Sequence, residues 1–252
     1  SARLMNGKLL ESNTSAAQAT SSNFIFDSNN GWAISHGSDY QSWMWKRHAG
    51  FDVVTDTSAE WVKHNLNKIP EMVIIKNRTS AENWFVWHKD LNGGGSNSIG
   101  YFLGLNSTAA QANWGNVCPI GNTLPTAIAF QSDSDSAVRN EDCIAFLFAS
   151  TDVSKVGSYT GNGNASSGVT ITTGFQPRFY IIKRADGTGP WYVVDSLRGM
   201  SNSGDEKLLK LNTSDPQVSD NIGDTSSTGF TITSTNDTLN GNGDKYLYYA
   251  HS

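Results

Sequence analysis

The residues able to do chemistry are scattered, and little in their spacing collects them. The five histidines are His36, His48, His64, His88 and His251. Serine is abundant, but no Gly-x-Ser-x-Gly turn is present to aim one as a nucleophile, so a Ser/His/Asp triad has no local support. Glycoside hydrolysis would need two placed carboxylates. Asp90, Glu141 and Asp142 are candidates, but Asp142 recurs as Asp39 and Asp244 before similar apolar runs, where an Asp bonding its own backbone explains it. His88 follows the apolar run Trp84–Trp87 and is matched by Asp195 in a second copy of that run. A type change between copies suggests a surface position. Asp133, Asp135 and Asp244 offer the hard oxygens that Ca²⁺ prefers. Without EF-hand spacing, Asn/Gly-rich hairpin turns account for them better, and no metal or other cofactor is expected.

Aromatic rings are the remaining chemistry. Trp114, with Asn113 and Asn116, lies in a polar stretch, Ala112–Asn116, that looks specific to one copy. An exposed ring there could stack on a sugar; alternatively it covers a sheet edge. Trp43, Trp45, Trp84, Trp87 and Trp191 sit on patterns shared between copies and are expected in the core.

Those patterns come from a repeat. Pro70–Lys76 (PEMVIIK) matches Pro177–Lys183 (PRFYIIK) at an offset of 107. Asn83–Trp87 matches Pro190–Val194, Tyr101–Asn106 matches Lys207–Asn212, and Asp142–Ala149 matches Asp244–Ala250. Leu9–Ala19 matches Leu105–Ala112 through Asn-(Ser/Thr)-(Ser/Thr)-Ala-Ala-Gln-Ala. Asp39–Trp45 matches Asp142–Phe148, Gly50–Thr55 matches Val156–Thr160, and Ser1–Arg3 aligns with Ser196–Arg198. The expected division is residues 1–57 as the back half of a module, 58–162 as a complete module and 163–252 as another. The chain is thus expected to be the C-terminal part of a longer protein.

Each module of about 105 residues reads as six or seven strands. Met72–Asn77, Ile144–Phe148 and Tyr246–Tyr249 are continuous apolar runs; Val169–Thr173 and Gly229–Ser234 alternate. Turn clusters at Asn92–Gly95, Gly161–Asn164 and Asn240–Gly243 separate them. Only Thr14–Thr20 has helix propensity, enough for a turn or two. The fold class expected is all-β, antiparallel, with tandem sandwich or jelly-roll modules. Of 252 residues, 37% are hydrophobic and 16% charged, with eight Trp, which is enough for a core. The net charge of −5 without a Lys/Arg run argues against nucleic acid and anionic membrane surfaces. No apolar stretch reaches a membrane span. Of the two cysteines, Cys143 reads as a buried small hydrophobe, and neither it nor Cys118 has zinc-ligand spacing.

In order and recurrence, these pieces resemble a repeat module of tail-fibre-like proteins of tailed phages and prophages, especially marine ones. The similarity rests on Gly50–Thr55, Val62–Leu66, Pro70–Trp84, Leu105–Ala110, Gly157–Gly163, Trp191–Gly199 and the ending Tyr246–Ser252, and it covers nearly the whole chain. It implies a lectin-like β-sandwich, a virion structural or adhesive role outside the cell, and no catalytic residues. The implied partners are other tail proteins, copies of itself in a homo-oligomer such as the trimers common among fibres, and a host-surface glycan or protein. Two departures stand out. Asn67 replaces the Gly that usually follows the His-x-Leu motif, and the second copy, Thr172–Gln176, lacks the His, which argues against an essential role for His64. The alternatives are a free extracellular carbohydrate-binding module and, behind it, a polysaccharide hydrolase.

Overall fold

A computed structural model describes residues 7–28, 31–34, 40–48, 50–115, 120–140, 142–200 and 204–252, with backbone only for 24–28 and 31–34. Ser1–Arg3 lie outside them. Among the described residues the chain is nearly all β and every strand pairing is antiparallel. It begins with two hairpins, β1 (Lys8–Leu9) with β2 (Ala19–Thr20) and β3 (Phe24–Ser28) with β4 (Gly31–Ile34). Eight strands follow: β5 (Phe51–Val54), β6 (Trp61–Lys63), β7 (Met72–Asn77), β8 (Phe85–His88), β9 (Tyr101–Gly104), β10 (Ala112–Asn113), β11 (Ala129–Gln131) and β12 (Cys143–Phe148). Nine more complete the chain: β13 (Ser154–Thr160), β14 (Val169–Thr172), β15 (Phe179–Arg184), β16 (Trp191–Asp195), β17 (Glu206–Lys210), β18 (Val218–Asp220), β19 (Gly223–Ser226), β20 (Gly229–Ile232) and β21 (Lys245–His251).

The repeat is visible in the topology. One six-stranded sheet runs β10-β9-β8-β7-β12-β5 and the other β18-β17-β16-β15-β21-β13, the same order twice. Each copy adds a small sheet, β11-β6 in the first and β14-β20-β19 in the second. Strand pairing therefore groups residues 51–148 and 154–251. Phe51–Val54 and Ser154–Thr160, which precede the expected boundaries at 57/58 and 162/163, belong to the sheets that follow them. Pairing also corrects the alignment of the last strand. Met72 opposes Phe148 and Phe179 opposes His251, so Phe148 corresponds to His251 and Phe146 to Tyr249, one residue away from the Asp142/Asp244 match and two from the Ala149/Ala250 match.

The large sheets bury both faces. Met72, Val73, Ile74 and Ile75 are all buried in succession, as are Phe85, Val86 and Trp87. Alternate residues point to opposite faces of a strand, so one set serves each side. Between the large sheets, Met72, Ile74 and Leu105 meet Ile181, Trp191 and Leu247, and the rings of Phe148 and Tyr249 lie 4.8 Å apart. On its far side the second sheet packs on its small one: Tyr180 stacks on Phe230 at 4.5 Å and 4°. Trp84, Trp87 and Trp191 are core residues, while Trp43 and Trp45 are half-buried against it, a partial departure from the expectation that all five are core.

Thr14–Thr20 forms no helix. Lys76 Nζ reaches the Ser15 carbonyl (3.4 Å), and Gln18 N–H donates to the Arg78 carbonyl (2.7 Å). Tertiary hydrogen bonds thereby override the local preference of Ala-Ala-Gln-Ala. The four-residue helix that does form among the described residues is α1 (Asp237–Asn240), capped by Asn236.

The same contact recurs one module later. Trp84 Nε1–H donates to the Glu11 carbonyl (2.9 Å) and Trp191 Nε1–H to the Gly104 carbonyl (2.8 Å). Lys183 Nζ reaches the Thr108 carbonyl (3.3 Å), and Gln111 N–H donates to the Ala185 carbonyl (2.7 Å). Segment Glu11–Gln18 thus grips the first module as Gly104–Gln111 grips the second, 93 residues later. Burial pushes both amines down, Lys183 to about 8, yet carbonyls satisfy them: Asn77 O and Ser80 O for Lys76, Arg184 O for Lys183.

Because the two contacts are equivalent, Trp84→Phe and Trp191→Phe should cost similar amounts. Each removes one indole hydrogen bond from a carbonyl that still accepts a backbone N–H, Thr14 on Glu11 and Ser107 on Gly104, about 0.5–1.5 kcal/mol, read as parallel falls in the midpoint of urea unfolding.

Candidate functional site

Trp114 closes the edge of the first large sheet. Its ring lies 4.5 Å from Phe102 and 5.5 Å from Phe85, while 47% of the residue remains exposed. One side of the indole is fixed by packing and the rest faces solvent. Trp114 N–H donates to the Gly100 carbonyl (3.1 Å), which fixes the backbone beneath the ring. Gly100 has φ +78°, and a Cβ there would sit 2.8 Å from the Gly115 carbonyl oxygen. Glycine is required at this crossing. Such a ring can stack on the C–H face of a sugar or seat an apolar side chain.

Asn113 flanks it, exposed, with Oδ1 accepting from Gly115 N–H (2.6 Å); Asn116 lies outside the described residues. The stretch is less specific to one copy than its composition suggests. Ala112–Asn113 form β10, whose place in the second sheet is taken by β18. What is special to the first copy is the ring itself.

The acidic candidates do not converge. Asp133 Oδ1 accepts from Asp135 N–H (2.9 Å) and Asp135 Oδ1 from Ala137 N–H (2.7 Å), so both carboxylates hold the turn after β11. Asp244 is in the second module, paired with Arg184 at 2.8 Å. No group of three or more His, Cys, Asp or Glu side chains that could hold a metal occurs among the described residues. Of the hydrolytic candidates, Glu141 lies outside them and Asp90 N–H bonds to His88. Cys143 is a buried free thiol, and Cys118 lies outside the described residues.

His64 has a structural position. Its backbone N–H donates to the Ile128 carbonyl (3.1 Å) and its ring reaches the Thr126 carbonyl (3.2 Å). In the second module Thr173 N–H donates to the Thr228 carbonyl (2.9 Å), with its hydroxyl against the same oxygen. Threonine fills the place where the second copy lacks the histidine. Asn67 has φ +57°, the left-handed region that favours glycine and, after it, asparagine. That backbone suits the asparagine found here and would equally suit a glycine.

His88 and Asp195 are buried at 1% and 3% exposure, which corrects the expectation of a surface position. They interchange because they do the same local work: His88 Nδ1 accepts from Asp90 N–H (3.1 Å), and Asp195 Oδ1 accepts from Leu197 N–H (3.1 Å). The Asp195 carboxylate is further met by Arg198 Nε at 2.5 Å and Trp43 Nε1–H at 3.1 Å, with the Arg198 guanidinium 5.5 Å from the Trp43 ring. Sequence reasoning also missed an open cleft of about 650 Å³ by Pro177, Leu197, Met200 and Ser252. It shares Arg178, Ser196, Leu197 and Ser252 with a second of about 350 Å³ beside Trp43 and Trp45. Their walls come from five separated stretches, so no local motif marks them.

The chain belongs to the family described as a domain of unknown function, DUF7483, whose model matches residues 3–252. No curated protein and no solved structure matches it.

Burial lowers the His88 imidazole to about 4. Its Nε2 lies near the Tyr248 backbone without hydrogen-bond geometry, so the neutral ring is the folded form. As pH falls below 6.5 the unfolded chain takes up a proton that the folded chain refuses until about pH 4. Stability should therefore drop across that window, by up to about 3 kcal/mol from this group. Urea midpoints between pH 7 and 4 measure it. His88→Asn, which keeps an acceptor for Asp90, should flatten the slope; an unchanged slope would assign it elsewhere.

Proposed function

We propose that this family member is a structural and adhesive segment of a phage tail, a fibre or tail-tip part that acts outside the cell by presenting loops to a host surface. The observation that carries the reading is the contact made twice, Glu11–Gln18 on the first module and Gly104–Gln111 on the second. Modules joined through buried tryptophan, lysine and a common apolar core form a stiff body rather than beads on a flexible linker. A stiff repeat that holds an aromatic ring at its edge suits attachment. The sequence resemblance to phage tail-fibre modules points the same way. On this reading the chain is not an enzyme, needs no cofactor, and assembles with other tail proteins and with copies of itself.

A second reading, an extracellular carbohydrate-binding module independent of any virion, is favoured by the half-exposed Trp114 ring resting on Phe102. The two differ in where the protein is found. Antibodies against the chain should decorate the tails of phage particles from a strain that encodes it. Labelling of secreted protein but not of particles would move the conclusion to the second reading.

Both readings place recognition at the edge that Trp114 occupies. Trp114→Ala should weaken binding to host cells or to an arrayed glycan at least about tenfold. The far-ultraviolet spectrum should stay unchanged, because the ring is outside the main core. Undiminished binding by a folded Trp114→Ala protein would move the site elsewhere, with the cleft beside Leu197 next to be tested.

A further inference from the structure

The segment Gln41–Lys46 alternates as a strand would but joins no sheet among the described residues. Gln41, Trp43 and Trp45 turn half-buried toward the core, and Ser42, Met44 and Lys46 turn outward, the alternation of an extended strand. Yet no ladder hydrogen bond reaches the backbone of Ser42–Lys46 from any described residue. Its counterparts are strands paired on both sides. The turn after it closes with His48 N–H on the Phe51 carbonyl; the turn after β12 closes with Thr151 N–H on the Ser154 carbonyl, 103 residues on. By that offset Trp43 and Trp45 stand where Phe146 and Phe148 stand in β12. That strand is paired on one side with β7 and on the other with β5. Tyr249 and His251 hold the same places in β21, between β15 and β13. Met44 is 72% exposed, whereas its counterpart Leu147 is fully buried.

A second place is open in a complementary way. The gripping segment occurs three times, and its first two copies receive an indole N–H and a lysine amine from the next module. No indole or lysine amine donates to the backbone carbonyls of the third, Lys210–Gln217, among the described residues. The Ser12 hydroxyl donates to the Leu211 carbonyl (2.6 Å), so the third segment borders the N-terminal one.

The geometry points to one occupant for both places: the front half of a further copy of this same repeat. Its counterpart of β7 would be apolar and end in lysine, as in Val73-Ile-Ile-Lys76 and Tyr180-Ile-Ile-Lys183, and its counterpart of β8 would open beside a tryptophan. The former pairs with Gln41–Lys46 and covers Met44; the lysine and tryptophan reach the Lys210–Gln217 carbonyls. An open edge beside apolar side chains is the standing requirement for strand addition.

The test is a fusion placing a second copy of residues 51–93 directly ahead of Ser1, the register that the 93-residue offset dictates. Amide exchange is read by mass spectrometry on peptides spanning 40–48. Exchange at Ser42–Lys46 should slow by on the order of 100-fold relative to the parent. The same fusion carrying Ile74→Asp in the added copy should exchange at the parent rate. A synthetic peptide of residues 68–90 added to the intact parent should protect the same amides, which keeps the test open if the fusion fails to fold. Parent-like exchange with both fusion and peptide overturns the proposal. So does protection already present in the parent alone through pairing of two copies, seen as a dimer by sedimentation.

Discussion

A sheet that is apolar on both faces has to be covered on both, and this requirement organises the molecule. Four consecutive buried residues, Met72–Ile75, leave β7 with no side to present to water. The small sheet of each module covers one face of its large sheet. For the other face each large sheet depends on its neighbour, which is why Met72 and Ile74 rest against Ile181 and Leu247. Neither module is therefore a closed sandwich in isolation, and the unit of stability is larger than the unit of the repeat.

Where strand edges and segment ends must be fixed without further apolar area, the chain uses buried polar groups. Lys76 and Lys183 are fully buried, yet each reaches carbonyls across the joint. A buried amine is costly unless it is bonded, so these lysines tolerate one docking geometry. Asp195, held between Arg198 and Trp43, ties the N-terminal segment to the second module in the same manner. Apolar burial makes association favourable; the polar contacts make it specific.

Strand content was legible because apolar runs and Asn/Gly turns are local signals, and the repeat exposed equivalent positions without any view of the fold. Element ends were less so: register, which depends on the partner strand, moved the last match by one to two residues. The Ala-Ala-Gln-Ala segment misled because its conformation is decided by Lys76 and Arg78, some 60 residues away. His88 misled for a subtler reason. A change of type between copies suggested exposure, whereas imidazole and carboxylate both accept a hydrogen bond from the amide two residues ahead. Of the candidate site, the ring of Trp114 could be singled out from sequence. Its support by Phe102 and Phe85 and the cleft by Leu197 could not, since both are assembled from separated segments.

The position of the last strand carries a kinetic cost. β21 lies between β13 and β15 and supplies Tyr249 to the Trp45 indole, 204 residues away. During synthesis the second large sheet must therefore wait, with the slot between β13 and β15 empty, until Lys245–His251 has left the ribosome. Contacts of such long sequence separation are slow to form. Meanwhile the apolar faces of β13 and β15 stand open to the wrong partner, including the same strands of a neighbouring nascent chain.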